Sequence, residues 1–424
     1  MASDTMKKSV RHYENMRDSG IEWIGAVPSH WKTTRMKAIF RTKSVKNHPS
    51  AEVLSLYRDF GVLPKSSRDD NHNVTSEDTS QYKYVEKGNL VINKMKAWQG
   101  SLAISKYEGI VSPAYYVCEF RNAAVDKKYI HHLLRCTAYA QEFERLSTGM
   151  RIGQWDLGID DFMLVPAILP PLNEQKHIGH YLDTQCLKID TIISDAKTSI
   201  EEYKAWKTSI IYEAVTKGLN PNVEMKDSGI EWIGKIPAHW KTGRVKNCFV
   251  NHDEWREPIS SENRENKLKL YDYYGASGPI DKIDFFNVDD TVLLIGEDGA
   301  NLRMRNLPLV YKASGKFWVN NHAHILKVKE PNSYDFMAYL LEAGDYNEYI
   351  TGSAQPKLSQ FNLMRYPIPL VPPREQKEIE TYLNRRCSKI DEIVEEKKAL
   401  ISDLESYKKS LIFEVVTGKR RIIS

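Results

Sequence analysis

The sequence predicts an α+β protein. Two mixed α/β domains are each followed by a long helix, the two helices pair as an antiparallel coiled coil, and the whole repeats about a pseudo-twofold relation. Three observations predict it. A motif near the N-terminus recurs in mid-chain, a second motif at the head of a helix-like stretch recurs near the C-terminus, and the segments between are unlike one another.

The first motif, Asp18-Ser19-Gly20-Ile21-Glu22-Trp23-Ile24-Gly25, returns letter for letter as Asp227-Ser228-Gly229-Ile230-Glu231-Trp232-Ile233-Gly234. The match runs on. Pro28, His30-Trp31-Lys32-Thr33, Arg35 and Lys37 reappear as Pro237, His239-Trp240-Lys241-Thr242, Arg244 and Lys246. The second motif, Pro170-Pro171-Leu172-Asn173-Glu174-Gln175-Lys176, is echoed one residue shorter by Pro372-Pro373-Arg374-Glu375-Gln376-Lys377. Tyr181-Leu182, Cys186 and Lys188-Ile189-Asp190 then match Tyr382-Leu383, Cys387 and Lys389-Ile390-Asp391. So long a period means two copies of a domain, not a solenoid.

Residues 174–217 read as helix, with Asn173 to cap the start and Lys217-Gly218-Leu219-Asn220-Pro221 to stop it. Leu182, Cys186, Ile189, Ile193, Ala196, Ile200, Tyr203, Ile210 and Ala214 step by fours and threes, interrupted at Lys207. The second copy runs Leu383, Cys387, Ile390, Val394, Ile401, Leu404, Leu411 and Val415, interrupted at Lys397 and Lys408. This is a heptad seam. At ~1.5 Å per residue each helix is about 66 Å long. A generic oligomerisation coiled coil would look similar, but two matched helices in one chain favour internal pairing. The boundaries expected are 16–172 for the first domain, 173–219 for the first helix, 225–373 for the second domain and 374–421 for the second helix.

Apolar residues at 41% and aromatics at 10% suffice for packed cores. The five cysteines, Cys118, Cys136, Cys186, Cys248 and Cys387, have no metal-ligand spacing, and an odd count makes a poor disulfide framework, so a reducing cytoplasm is expected. Met1 to Arg17 is polar and does not read as a signal peptide, and no stretch is apolar enough to span a membrane. Net charge is +4, but residues 51–166 hold 14 bases against 15 acids and residues 251–369 hold 13 against 17. A basic footprint is the usual mark of DNA binding. Any such surface here must therefore be local or shared with a partner.

No phosphate-binding Gly-x-x-x-x-Gly-Lys-Ser/Thr loop, no Gly-x-Gly-x-x-Gly loop and no Asn/Asp-Pro-Pro-Phe/Tyr methyltransferase motif occurs. His322-Ala323-His324 could pinch a metal, but a strand with two outward histidines is the expected reading.

The layout resembles the specificity subunits of type I restriction–modification enzymes, from about Met16 to Arg421. The strings that carry it are the Asp-Ser-Gly-Ile-Glu-Trp-Ile-Gly openings at Asp18 and Asp227 and the Pro-Pro leads into long helices at Pro170 and Pro372. Val91-Ile92-Asn93-Lys94-Met95-Lys96-Ala97-Trp98-Gln99-Gly100 and Gly315-Lys316-Phe317-Trp318-Val319-Asn320-Asn321-His322-Ala323-His324 add to it. The resemblance implies that each block is a target-recognition domain reading half of a bipartite, asymmetric DNA site, with the helices setting the gap. It implies two docked methyltransferase subunits that methylate adenine, and motor–nuclease subunits. S-adenosylmethionine, ATP and Mg would sit on those partners, leaving this chain with no catalytic residue, metal or cofactor.

Base readout needs side chains with paired donors and acceptors. In the first block the candidates are Lys94, Lys96, Trp98 and Gln99, where a strand at Leu90-Val91-Ile92 runs into a turn at Gly100, with Arg58, Lys65 and Arg68 beside a turn expected at Gly61 and Pro64. In the second they are Asn301, Arg303 and Arg305 after Gly299, Asn320, Asn321 and His322, and Gln355 and Lys357 after Gly352. Against this, Trp98 and Trp318 read more as core residues than as DNA contacts, and Asn320-Asn321 fits a turn. Trp23, Trp232 and the His-Trp pairs lie outside the variable blocks and read as structural. Two other functions fit less well. A free-standing two-headed DNA-binding regulator needs a basic surface the blocks lack, and an interaction scaffold gives no reason for a duplicated frame with divergent contents.

Overall fold

A computed structural model describes residues 12–58, 60–68, 75–121, 123–149, 155–260, 262–264 and 270–422. The chain divides into two compact units, one built from Met1–Ala196 and Lys398–Ser424, the other from Lys197–Lys397.

Unit 1 opens on the first motif as a hairpin, β1 (Met16–Asp18) against β2 (Ala26–Pro28). Gly20 and Gly25 take positive φ in its turn, where an L side chain would be strained. After β3 (Lys32–Arg35), one turn of helix, α1 (Met36–Ile39), leads into β4 (Phe40–Lys43). β5 (Leu54–Tyr57) and β6 (Gly61–Pro64) form a separate two-stranded ribbon. Gly61 and Pro64 are therefore the ends of a strand, not the turn expected there. The turn precedes them, because Tyr57 pairs with Gly61. β7 (Lys83–Val85), β8 (Leu90–Asn93), β9 (Leu102–Ile104), β10 (Gly109–Val111) and β11 (Tyr115–Phe120) follow. The main sheet is antiparallel in the order β4-β11-β8-β9. Strand alternation divides its core: Leu90, Ile92, Leu102 and Cys118 join one cluster, while Val91, Ala103 and Val117 join Leu54, Leu56 and Val62 of the ribbon. α2 (Lys127–Arg135), α3 (Thr137–Leu146) and α4 (Ile159–Leu164) then lead to β12 (Pro166–Leu169), which pairs with β3.

The first long helix, α5 (Leu172–Lys217), passes from unit 1 into unit 2. It starts ahead of Asn173, so Asn173 is not its cap. The Pro171 carbonyl accepts the first helical bond, from the Gln175 amide 3.0 Å away, so Pro171 is the flanking residue that opens the helix. Gly218, at φ 75°, ends the helix as expected.

Unit 2 repeats the frame. β13 (Met225–Asp227) pairs with β14 (Lys235–Pro237), and β15 (Lys241–Arg244) leads through α6 (Val245–Cys248) to β16 (Phe249–Asn251). The interior differs. β17 (Tyr271–Gly275), β18 (Gly278–Ile283), β19 (Val288–Gly296), β20 (Val310–Val319) and β21 (Ala323–Val328) join β16 in a six-stranded sheet, β16-β21-β19-β20-β17-β18. The β17–β20 pair is parallel. α7 (Asn301–Met304) falls between β19 and β20, α8 (Tyr334–Ala343) follows β21, and β22 (Ile350–Thr351) pairs with β23 (Lys357–Leu358). α9 (Gln360–Arg365) and β24 (Pro367–Leu370), paired with β15, complete the frame.

The second long helix, α10 (Pro373–Val416), returns from unit 2 to unit 1. Within unit 2 the helices run antiparallel: Lys207 pairs with Asp391, and Lys397 lies over the Tyr203 ring. The apolar seam is buried, including Leu182, Cys186, Ile189, Ile193, Leu383, Cys387 and Ile390. In unit 1 the helix end joins the core: Leu411, Val415 and Val416 pack with Tyr129 and Leu182, and the Tyr129 hydroxyl donates to the Val416 carbonyl at 3.1 Å. Among the described residues no helix is long and apolar enough to cross a membrane.

Candidate DNA interface

The two repeated motifs lock onto each other in each unit. Trp31, fully buried, donates its indole N–H to Glu174 at the head of α5, 3.2 Å away, and His30 lies 2.9 Å from the same carboxylate. Unit 2 repeats this: Trp240 and His239 meet Glu375 at 3.0 and 2.7 Å. The adjacent glutamine secures the short helix. Gln175 accepts the Asp126 amide before α2, and Gln376 accepts the Ser333 amide before α8. A lysine at the end of each long helix grips the first-motif turn: Lys217, the last residue of α5, on the carbonyls of Ile233 and Lys235, and Lys419, just past α10, on those of Ile24 and Ala26. The His-Trp pairs are structural, as their place outside the variable blocks suggests.

On this frame each unit carries a different loop cluster. In unit 1, Lys94 is 2.9 Å from Asp156, which raises its pKa chiefly through that hydrogen bond. Its carbonyl accepts the Leu157 amide. Trp98 is half-buried, edge-on to Trp155 with centroids 5.3 Å apart, and donates to the Met95 carbonyl. Gly100, at φ 78°, closes the turn, leaving Lys96 exposed and Gln99 partly so. Arg135 bridges the Leu102 and Arg58 carbonyls and so holds the ribbon tip beside this turn. Arg58 is exposed, Lys65 bonds Thr75 at 2.5 Å, and Arg68 lies over the Tyr57 and Phe60 rings.

In unit 2 three segments lie side by side. The Glu297 amide donates to the His322 carbonyl, the Leu358 amide to the Glu297 carbonyl, and the Gly299 amide to the Pro356 carbonyl, at 2.8–3.0 Å. Asn321, His322, Gln355 and Lys357 are thereby gathered on one exposed surface. Under it is a charged network. Arg256 bonds Glu297 and the carbonyls of Asn321 and Ala323, Lys357 pairs with Glu297 at 2.9 Å, and His322 with Asp298 at 2.7 Å. Burial pushes the Glu297 carboxyl up, but Lys357 and Arg256 outweigh it and hold it low. His324 is fully buried, 2.6 Å from Asp253 and 2.8 Å from the Leu358 carbonyl.

Several sequence expectations are corrected here. His322 and His324 are not two outward residues of a strand. β21 begins at Ala323, so His322 stands in the preceding turn while His324 points inward. Asn320, 5% exposed, spends its side chain on the His322 amide and cannot meet a base edge. Trp318, by contrast, is the core residue the sequence favoured, its indole bonded to the Glu257 carbonyl. Asn301 ties its own loop through Leu307, and Arg305, at φ 52°, turns its guanidinium onto the Glu342 carbonyl. Arg303 stays exposed. Sequence reasoning missed Arg256, Asp253, Trp155 and Phe60. Asp253 and Arg256 lie in a polar turn just after β16, where no local pattern sets them apart.

A family model described as type I restriction modification DNA specificity domain matches residues 28–202 and 237–403, one copy in each half. The class is thus a duplicated DNA-specificity protein. The chain belongs to this family and is a type I specificity subunit, a non-catalytic component of such systems. The family match decides against a free-standing regulator or a scaffold without a DNA role. The MjaVIII specificity subunit of Methanocaldococcus jannaschii is 24% identical over 384 residues, 81% of this chain and 83% of that one. The putative specificity subunit S.HindORF215P of Haemophilus influenzae is 30% identical over 142 residues, 34% of this chain and only 35% of that relative. Two solved structures share the fold. One chain, from work on complex assembly and conformational transition of the type I R-M system, has a TM-score of 0.69 at 12% identity and covers 92% of this chain and 98% of that one. The HsdS subunit from Thermoanaerobacter tengcongensis has a TM-score of 0.53 at 13% identity, covering the same shares.

Proposed function

We infer that this chain gives a type I restriction–modification complex its sequence preference by reading a bipartite, asymmetric DNA site, one half with each unit. One observation carries the reading: the same motif-locked frame supports different loop clusters, Lys96 and Gln99 in one unit, Asn321, His322, Gln355 and Lys357 in the other. Two different base-reading surfaces on one scaffold read two different half-sites. The long helices fix the number of unread bases between them. Two adenine methyltransferase subunits and the motor–nuclease subunits dock on the chain in the cytoplasm. S-adenosylmethionine, ATP and Mg belong to those partners. The near-neutral blocks leave phosphate neutralisation largely to the partners.

The test is co-expression with the methyltransferase subunit of the same complex, followed by methylome sequencing of the host. Methylated adenines in two short unlike half-sites at a fixed spacing are expected. A continuous motif, or methylation unchanged when the chain is deleted, overturns the reading.

A further inference from the structure

The β5–β6 ribbon forms a two-stranded sheet by itself, with Leu54 opposite Pro64 and Tyr57 opposite Gly61. Its base is anchored: Leu54, Leu56 and Val62 are buried with Val91, Ala103 and Val117 of the main sheet. Its tip carries Phe60, 59% exposed. A large aromatic left in water at a hairpin tip gives up burial free energy that the fold does not recover. The ring is also held in place. The Arg68 guanidinium lies 4.1 Å from its centroid and 5.4 Å from that of Tyr57, forming a platform of two rings and a cation. Arg58 is exposed two residues away, its carbonyl fixed by Arg135 beside the Lys96–Gln99 turn.

The major groove of B-DNA admits a two-stranded β-ribbon, and the one base-edge feature there that an apolar side chain recognises is the thymine methyl group. We propose that Phe60 is a specificity-determining residue: carried into the major groove on the β5–β6 ribbon, its ring covers the 5-methyl group of one thymine in the half-site read by unit 1. Arg68 holds the ring for that contact, and Arg58 offers paired donors to a neighbouring base edge. The inference rests on the bipartite reading and concerns one base within it.

The experiment uses the full chain with its methyltransferase partner and duplexes carrying the site fixed by methylome sequencing. Each thymine in turn is replaced by uracil, which differs only in lacking the methyl group. Methylation rates are compared for the wild-type complex and the Phe60→Ala and Phe60→Leu variants. With wild type, one thymine-to-uracil change slows methylation about fourfold, the worth of one buried methyl group. Phe60→Ala slows the normal site by a similar factor and no longer distinguishes uracil there, while Phe60→Leu keeps part of the distinction. Normal rates on every uracil duplex with wild type overturn the proposal, as does undiminished sensitivity at that thymine in Phe60→Ala. Either result leaves the two half-sites of the wild-type methylome intact, and so is distinguishable from failure of the bipartite reading.

Discussion

The Lys207 ammonium lies 2.7 Å from both carboxylate oxygens of Asp391, at the point where the apolar seam of α5 is interrupted. The repeat reproduces the pair in unit 1, where Lys408 meets Asp190 at the same distances. Lys207 and Lys408, two of the three lysines that break the heptads, are therefore register marks, each matched to an aspartate of the opposing helix, while Lys397 lies over the Tyr203 ring. Both pairs are partly exposed, so each contributes modestly. A double-mutant cycle of Lys207→Ala and Asp391→Ala, read by urea unfolding, should give a coupling of about 0.2–1 kcal/mol that shrinks in high salt. A coupling of zero at low salt would remove the register role.

Glu174 serves the Trp31 indole, His30 and the Tyr13 hydroxyl together. Glu174→Ala leaves the buried indole N–H without an acceptor and should cost about 1–3 kcal/mol. The loss should appear as faster hydrogen exchange in α2 with α8 unaffected. Glu375→Ala should do the reverse. Equal loosening of both helices by either variant would contradict the locking described above.

The short helices dock on α5 and α10 through different chemistry. His132 and Lys128 of α2 meet Asp183, each at 2.8 Å, whereas Tyr339 of α8 meets Asn384 at 2.9 Å. Burial pushes the Asp183 carboxyl up, but the hydrogen bonds from His132 and Lys128 prevail and hold it well below the usual carboxylate range. A folded pKa below the unfolded value of about 3.9 gives stability that is full above that value and is lost as pH falls toward the folded one. Protection of α2 should therefore decline below about pH 4, and Asp183→Asn should flatten that decline. An unchanged acid profile in Asp183→Asn would show that other carboxylates govern it.

Lys96→Ala with Gln99→Ala should relax base preference in one half-site only, and Gln355→Ala with Lys357→Ala in the other only. Methylome sequencing of the two strains checks this. Loss of preference in both halves from either pair would assign those residues to folding or docking.

The frame was legible in the sequence because repetition makes it so. The eight-residue identity at Asp18 and Asp227 and the Pro-Pro-led helices define the architecture by themselves. The loop clusters were legible only in part. Lys96, Gln99 and Lys357 stand out as polar residues beside glycine turns, and they are exposed. Asn320 looks similar and is buried, because it continues directly from β20, its amide donating to the Tyr274 carbonyl and its Oδ1 accepting the His322 amide. Arg256 was invisible because its partners, Glu297 and the Asn321 and Ala323 carbonyls, come from segments far along the chain.

The return of α10 into the first unit bears on how the protein is made. Residues Leu411, Val415 and Val416 fill the same core as Met36, Phe40 and Tyr129, and Gly418 sits so close to the Pro28 ring that a Cβ there would collide with it. The first unit thus lacks part of its core until residues 411–418 have been made. The unit formed by Lys197–Lys397 has all its residues earlier. Domains usually mature in the order of their translation. Here the order is inverted, and a premature stop near residue 398 leaves the later unit with its full sequence while stripping the earlier one of part of its core.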